Sequence, residues 1–517
     1  MVSKELVREL IGNYTADGFT KVLKGACAPA TFVSVDKEYK FKDVGDAKVR
    51  VLGVVCDLPG DDCGHAGRVT LPAPLLVVDV PLATTLTERS SRIRQFKLAK
   101  KVLEHFGAMP SMELDGVIAQ GVFVFHDAEG RFRVSLVTAT PENGKFNWSK
   151  ARRQSFYVTN DPDANATFVQ RMCMNWSTLK GMKEAFSVEK LTKEFYTQLF
   201  KWYELVCEDT RVEYPNGLDT DADNREDKNR KHLLRLITRL MFVWFLKQMG
   251  LVPGELFDEA ALTHILKDFK PTGRKQHQYY RAILQNLFFA TLNSDIDDRG
   301  FAESPKAKTE GGKTSTKHHG VKTKYRYMDE FAISRKEVLD LFRPIPFLNG
   351  GLFECLDQEN ADGKVMYYDG FSLQERHRDY GTLTWAHVPN DLFFDPDYGI
   401  IPLLKRYNFT VEENSPGDED VALDPELLGK VFENLLGAYN PETQEIARKS
   451  TGSFYTPREI VNYMVDESLI AYLTGKCGDR EATADSRAGT PFSKICISYS
   501  VGFGVAYPRM MGIPEPE

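Results

Sequence analysis

A chain of 517 residues with 42% hydrophobic content and a formal net charge of −7 has room for roughly three domains and the make-up of a globular protein. Its 27% of charged residues, acid in excess, exclude a uniformly basic nucleic-acid coat but leave room for a local basic groove. Eight scattered cysteines without a CxxC pair exclude a disulfide framework and predict free thiols in a reducing cytoplasm.

Residues 1–170 read as an α/β domain. Lys4–Leu23 has helical spacing, and no signal peptide is read there. Val49–Val55, Leu75–Val80, Val117–Phe125 and Phe132–Thr138 are β-branched or aromatic runs bounded by Gly, Pro or Asp, which predicts strands. Cys56, Cys63 and His65 surround a Gly/Asp-rich turn without a fourth ligand, so a loop is expected there and no metal site. Thr87–Phe106 carries Ile93, Phe96, Leu98, Val102 and Leu103 at helical spacing. Arg89, Arg92, Arg94, Lys97, Lys100 and Lys101 crowd that helix. A second basic group, Lys145, Lys150, Arg152 and Arg153, is interleaved with Phe146, Trp148, Phe156 and Tyr157. Basic and aromatic residues together can track phosphates and stack on bases, while a solvated helix face and a β-turn account for the same residues. Lys150, Arg152 and Arg153 are the candidate DNA contacts.

Residues 171–345 read as mainly helical. Val188–Val206 carries Phe195, Leu199, Trp202 and Leu205 on one side. His232–Met249 carries Leu233, Leu236, Leu240, Val243 and Trp244 and stops at Gly250. Aromatics at this spacing are core. The run Leu240–Leu246 is far too short to span a bilayer, and no membrane partner is expected. Tyr280–Leu292 continues the helical theme, and the acidic Glu213–Asp227 reads as a loop. Residues 303–326 are broken by Pro305, Gly311, Gly312 and Gly320 and are strongly basic. Lys313, Lys317, Lys322 and Lys324 of this loop are further candidates for phosphate contact, against a solvated insertion. Residues 327–420 are punctuated by prolines and glycines.

Residues 346–473 read as a connector leading to a capped helix. Thr456 is a good N-cap, Pro457 stands at the first helical position and Glu459 completes a capping box. Ile460, Val461, Met464, Val465, Leu469 and Tyr472 follow at helical spacing. The string Gly452-Ser453-Phe454-Tyr455-Thr456-Pro457 with Ile460 and Val461 resembles the first S-adenosylmethionine-binding motif of adenine-N6 DNA methyltransferases. More narrowly, the chain resembles the N-terminal portion of type IIG restriction–modification enzymes and phage-defence methylases. Leu348–Phe353, Tyr407–Glu413 and Asp424–Glu433 extend that resemblance upstream. It implies that loop 450–460 touches S-adenosylmethionine through Gly452, Phe454, Tyr455, Thr456 and Pro457, and that double-stranded DNA is the partner.

Type IIG enzymes often carry an N-terminal nuclease, which needs two or three carboxylates and a Lys around a divalent metal. Asp36, Glu38 and Lys40 alternate as if to share a strand face. The better strand, Leu75–Val80, offers Asp79 but has Pro81 where a Lys is wanted. A nuclease-like or DNA-contacting fold without cleavage is therefore expected. Phe394-Asp395-Pro396-Asp397-Tyr398 looks like the adenine-binding Asp/Asn-Pro-Pro-Tyr/Phe motif. It lacks the second Pro and precedes the cofactor loop, so no catalytic residue is assigned. The family's Rossmann-like methyltransferase sheet opens on Asp-Pro-x-x-Gly-x-Gly. Residues 474–517 offer only a degenerate copy, Ser498 and Tyr499 followed by Gly502 and Gly504, and read as a degenerate tail. The expected architecture is an α/β N-terminal domain, a mainly helical region and the truncated start of a Rossmann-like methyltransferase domain. Weak or absent S-adenosylmethionine binding is expected. Two functions stand side by side: the N-terminal part of such a methyltransferase, inactive alone, or a non-enzymatic DNA-binding or assembly subunit of a separately encoded methylase chain.

Overall fold

A computed structural model describes residues 2–41, 47–59, 74–88, 92–107, 118–142, 145–161, 163–215, 225–302, 322–348, 351–359, 365–376, 381–410, 418–423, 429 and 458–477. The chain divides into two compact units, Met1–Leu435 and Leu436–Glu517.

The first unit opens with α1 (Lys4–Gly12) and α2 (Ala16–Cys27), capped by the Ser3 and Thr15 hydroxyls. The single predicted helix is thus two, broken where Thr15 leaves helical conformation to cap the second. Strands β1 (Thr31–Phe41), β2 (Ala47–Cys56) and β3 (Leu75–Pro81) form an antiparallel meander. α3 (Arg92–Gly107) carries the chain over the sheet, and β4 (Gln120–His126) returns parallel to β3, as a crossover helix requires. β5 (Phe132–Glu142) and β6 (Lys145–Val158) continue antiparallel. One face of the sheet, with Val51, Leu76, Val78, Phe123 and Phe125, packs on Leu98, Val102 and Phe106 of α3. Ile93 points away from that core and is 71% exposed.

The body beyond the sheet is helical. It comprises α4 (Ala166–Met172), α5 (Leu179–Ala185), α6 (Val188–Glu208), α7 (Arg225–Gln248), α8 (Glu259–Ile265), a π-wound helix at Tyr279–Leu292 and α9 (Arg335–Phe342). Every residue of the π-wound helix is buried, and its polar members Arg281, Gln285, Asn286 and Thr291 are hydrogen-bonded inside, to Glu330, the Asp369 carbonyl, the Arg326 carbonyl and the Tyr325 hydroxyl. On α6 the buried stripe is Leu191, Phe195, Leu199, Trp202 and Val206, while Leu205 is 42% exposed. The buried face also takes in Tyr203 and Cys207, so it lies on the Val206 side of Trp202 and leaves Leu205 at its margin.

Shorter pieces follow: a two-residue hairpin of β7 (Gln358–Glu359) and β8 (Val365–Met366), then α10 (Asp391–Phe394) and α11 (Ile400–Lys405). The chain then adds β9 (Asp418–Asp420) parallel to β6, the seventh strand in the sheet order β1-β2-β3-β4-β5-β6-β9. The result is a mixed α/β architecture. Of the second unit the structure describes α12 (Arg458–Cys477). Its predicted cap at Thr456 and the tail from 478 onward lie outside the described residues.

Candidate functional site

β6 alternates, with Ala151, Arg153 and Ser155 inward and Arg152 exposed. Arg153 is therefore not a surface DNA contact, contrary to expectation: it is fully buried. Its guanidinium holds Asp418 through two bonds, Nε to Oδ1 at 2.9 Å and Nη2 to Oδ2 at 2.8 Å. Nη1 donates to the carbonyl of Arg92. Arg92 itself reaches Asp420 at 3.0 Å and Asp418 at 3.4 Å. Arg133 on β5 bonds Gln95 and the carbonyls of Thr87 and Glu88. Three guanidiniums and two carboxylates thus meet between α3, β5, β6 and β9. Burial pushes Arg133 down to about 10, far enough above neutrality to leave it charged. Burial also raises the Asp420 carboxyl against the pull of Arg133, Arg92 and Arg153.

Of the other predicted DNA contacts, Lys322 donates to the carbonyl of Cys355 and Lys324 to that of Asp298. Arg152 is exposed, and Lys150 lies on β6. Lys313 and Lys317 lie outside the described residues. So do Gly452, Phe454, Tyr455, Thr456, Pro457, Gly502 and Gly504, and Cys63 and His65.

The carboxylates expected of a nuclease lie on β1 and β3. Asp36 does not share a strand face with Glu38 and Lys40. It occupies a bulge between Ser34 and Lys37 at a φ of 46° and bonds Arg50 at 2.6 Å. A residue in left-handed conformation breaks the two-residue alternation. Asp79 is buried, receives the Tyr14 hydroxyl at 2.6 Å and lies 3.3 Å from His126 Nε2. Burial and the Asp79 charge raise Tyr14 well above the ordinary phenol range. Asp127 next to His126 closes a turn, accepting from Leu86, Glu129 and Arg131. Among the described residues no three His, Cys, Asp or Glu converge as metal ligands. His277 and His387 come close, but as stacked rings 4.8 Å apart.

Of the strings upstream of the cofactor loop, the described parts of Leu348–Phe353 and Tyr407–Glu413 are joints of the fold, while Asp424–Glu433, Gly429 apart, lies outside the described residues. Leu352 and Glu354 give their carbonyls to Arg239 Nε at 2.8 Å and Nη2 at 2.9 Å. Arg239 also reaches Asp369 at 3.3 Å and lies over the Phe289 ring. Asn408 and Thr410 pair with Leu423, just past β9, and the Asn408 amide donates to the Thr167 hydroxyl at 2.7 Å. Asp395 and Tyr398 of the look-alike motif are likewise structural. Asp395 caps the turn to Asp397, and the Tyr398 hydroxyl donates to Asp391, which Arg211 also holds.

Where β6, β9, α7 and α11 approach one another, a groove of about 950 Å³ opens. Ser155, Tyr157, Trp244, Lys247, Lys405 and Phe409 are among its lining residues. It lies within the size range of ligand sites.

The chain is 26% identical over 254 residues to a protein of Methanocaldococcus jannaschii whose name places it, provisionally, among type II restriction enzymes and methyltransferases. The matched segment is 49% of this chain and 16% of that protein. No protein-family profile matches the chain, and no solved structure matches it. No helix among the described residues is long and apolar enough to cross a membrane.

Proposed function

We propose that this chain is the N-terminal part of a site-specific adenine-N6 DNA methyltransferase of the type IIG restriction–modification and phage-defence kind, and that alone it transfers no methyl group. The observation that carries the reading is the 254-residue likeness to the archaeal protein. The Gly452–Pro457 string narrows it to S-adenosylmethionine-dependent adenine methylation of double-stranded DNA in the cytoplasm. Gly452, Phe454, Tyr455, Thr456 and Pro457 would meet the cofactor on one side, and Gly502 and Gly504 on the other. Arg152, Lys150 and the lysines of the basic loop would meet phosphates. The N-terminal sheet would position DNA and not cut it, since Asp79 is matched with a tyrosine and a histidine in place of further carboxylates.

The sequence holds no Asp/Asn-Pro-Pro-aromatic tetrapeptide to bind a flipped adenine. Purified chain given labelled S-adenosylmethionine and mixed-sequence DNA is expected to leave the DNA unlabelled. Incorporation above a no-enzyme blank overturns the inactive part of the proposal. Binding to duplex DNA is expected to be weak, sequence-tolerant and steeply salt-dependent. Neutralising Lys313, Lys317, Lys322 and Lys324 together should lower the slope of log affinity against log salt by about 0.9 for each phosphate that the loop no longer neutralises. An unchanged slope removes the loop from the interface.

A second reading, an assembly subunit for a separately encoded methylase chain, is favoured by α12. Its Ile460, Tyr463, Met464 and Val465 are all exposed. Methyl transfer that appears only on mixing the two chains would distinguish it.

A further inference from the structure

We propose that the groove between β6 and the ends of α7 and α11 is a binding site for a phosphomonoester, with Lys247 and Lys405 as its cationic pair. This goes beyond the methyltransferase reading and stands or falls separately from it.

Lys247 is in the last turn of α7 and Lys405 in the last turn of α11, and both line the groove. A lysine in either place is individually favourable, because a helix C-terminus attracts cations. That does not account for bringing two of them to one cavity. Lysine ion pairs form elsewhere, at Lys101–Glu104 and Lys190–Glu184. Among the described residues neither Lys247 nor Lys405 is paired with a carboxylate. Glu88, Glu259 and Asp420 also line the groove; Asp420 is held by Arg92, and none of the three lies within ion-pair distance of either lysine. Lys247 is half-buried, with its ammonium 4.4 Å over the Trp244 ring. Burial, and then the charge of Lys405, pull it below the ordinary lysine range.

Lys247 is half-buried and Lys405 exposed, and an anion between them relieves the repulsion of their like charges. The number of charges selects the anion. A phosphodiester brings one negative charge, whereas a terminal phosphate brings about 1.5 to 2 at neutral pH and three acceptor oxygens. The terminal group matches two ammoniums and can take a charge-assisted bond from each. A free nucleoside monophosphate and a 5′-phosphorylated DNA end present the same group, and both have the bulk to fill the rest of the groove.

The test uses the full chain, titrated calorimetrically with a deoxynucleoside 5′-monophosphate and with a short single-stranded oligonucleotide bearing either a 5′-phosphate or a 5′-hydroxyl. Saturable binding of at least one phosphomonoester is expected, with the 5′-hydroxyl oligonucleotide weaker. Lys247→Gln with Lys405→Gln should weaken binding about tenfold or more, as loss of charge-assisted bonds implies. Losing two helix-terminal charges and the Lys247–Trp244 contact should lower the melting temperature of the unliganded double variant slightly, so binding is read from the ligand-dependent shift of each protein. Monophosphate alone binding identifies a free nucleotide. Preferential binding of the phosphorylated oligonucleotide, displaced by the monophosphate, identifies a DNA end. Wild type binding neither compound, or binding that the double variant retains, overturns the proposal. A melting temperature that no ligand raises in either protein also overturns it and returns the lysines to a purely structural role.

Discussion

Asp418→Asn is expected to lower unfolding free energy by about 3–5 kcal/mol, the range for breaking a buried ion pair from one side. In the native cluster three guanidiniums face two carboxylates. Removing the Asp418 charge leaves three guanidiniums facing one, inside a layer where Arg153 has no exposed surface. Arg153→Met should cost less. It leaves Arg92 and Arg133 balanced by Asp418 and Asp420, and its thioether chain can stay against Phe96, which the guanidinium now covers at 5.2 Å. Combining Arg153→Met with Asp418→Leu should recover part of the loss, because an apolar pair needs no compensation for desolvation. Urea midpoints for the three variants decide the order. If Asp418→Asn proves milder than Arg153→Met, the excess of positive charge is not what the site has to manage.

Arg239→Ala should be of similar severity and should act on a different part of the molecule. One guanidinium satisfies the carbonyls of Leu352 and Glu354 and faces the Asp369 carboxylate, which also accepts from the Leu356 amide. Truncation leaves two carbonyls and a charge buried without their donor, again about 3–5 kcal/mol. Lysine should not rescue it, because a single ammonium cannot reproduce the planar fork that reaches three acceptors. The damage should be local first. Asp357 gathers the amides of Tyr368, Asp369, Gly370 and Phe371, so hydrogen exchange at those four amides should rise ahead of the sheet. Uniform exchange across both regions would mean that Arg239 supports the whole unit and not this loop.

Local regularity made much of the fold legible. Leu75–Val80, Phe132–Thr138 and the stripes of α6 and α7 announce themselves by period, and they are strands and helices in the structure. β1 escapes the strand pattern because it is an edge, polar on most positions and interrupted at Asp36. β9 is three acidic residues long, and nothing in Asp418-Glu419-Asp420 marks it as a strand. Its reason lies 265 positions away in Arg153. The alternation of Ala151, Arg153 and Ser155 could have shown that Arg153 faces inward. No local pattern could have named its partner. The same holds for the groove, whose two lysines come from helices far apart in sequence.

The late arrival of β9 bears on how the chain is made. β6 leaves the ribosome with one edge unpaired and with Arg133 and Arg153 still without the acids that neutralise them, and the strand that supplies both is about 265 residues behind. At about 5–20 residues per second that interval lasts roughly 13–50 s. Through it, a nascent sheet presents an open edge, the usual template for pairing with another chain. The two guanidiniums are the natural guard for that interval: they keep the edge strongly cationic and solvated until Asp418 and Asp420 arrive. A fragment ending near residue 170 would keep that guard permanently and would stay an incomplete sheet, closed only when a peptide carrying residues 418–423 is added back.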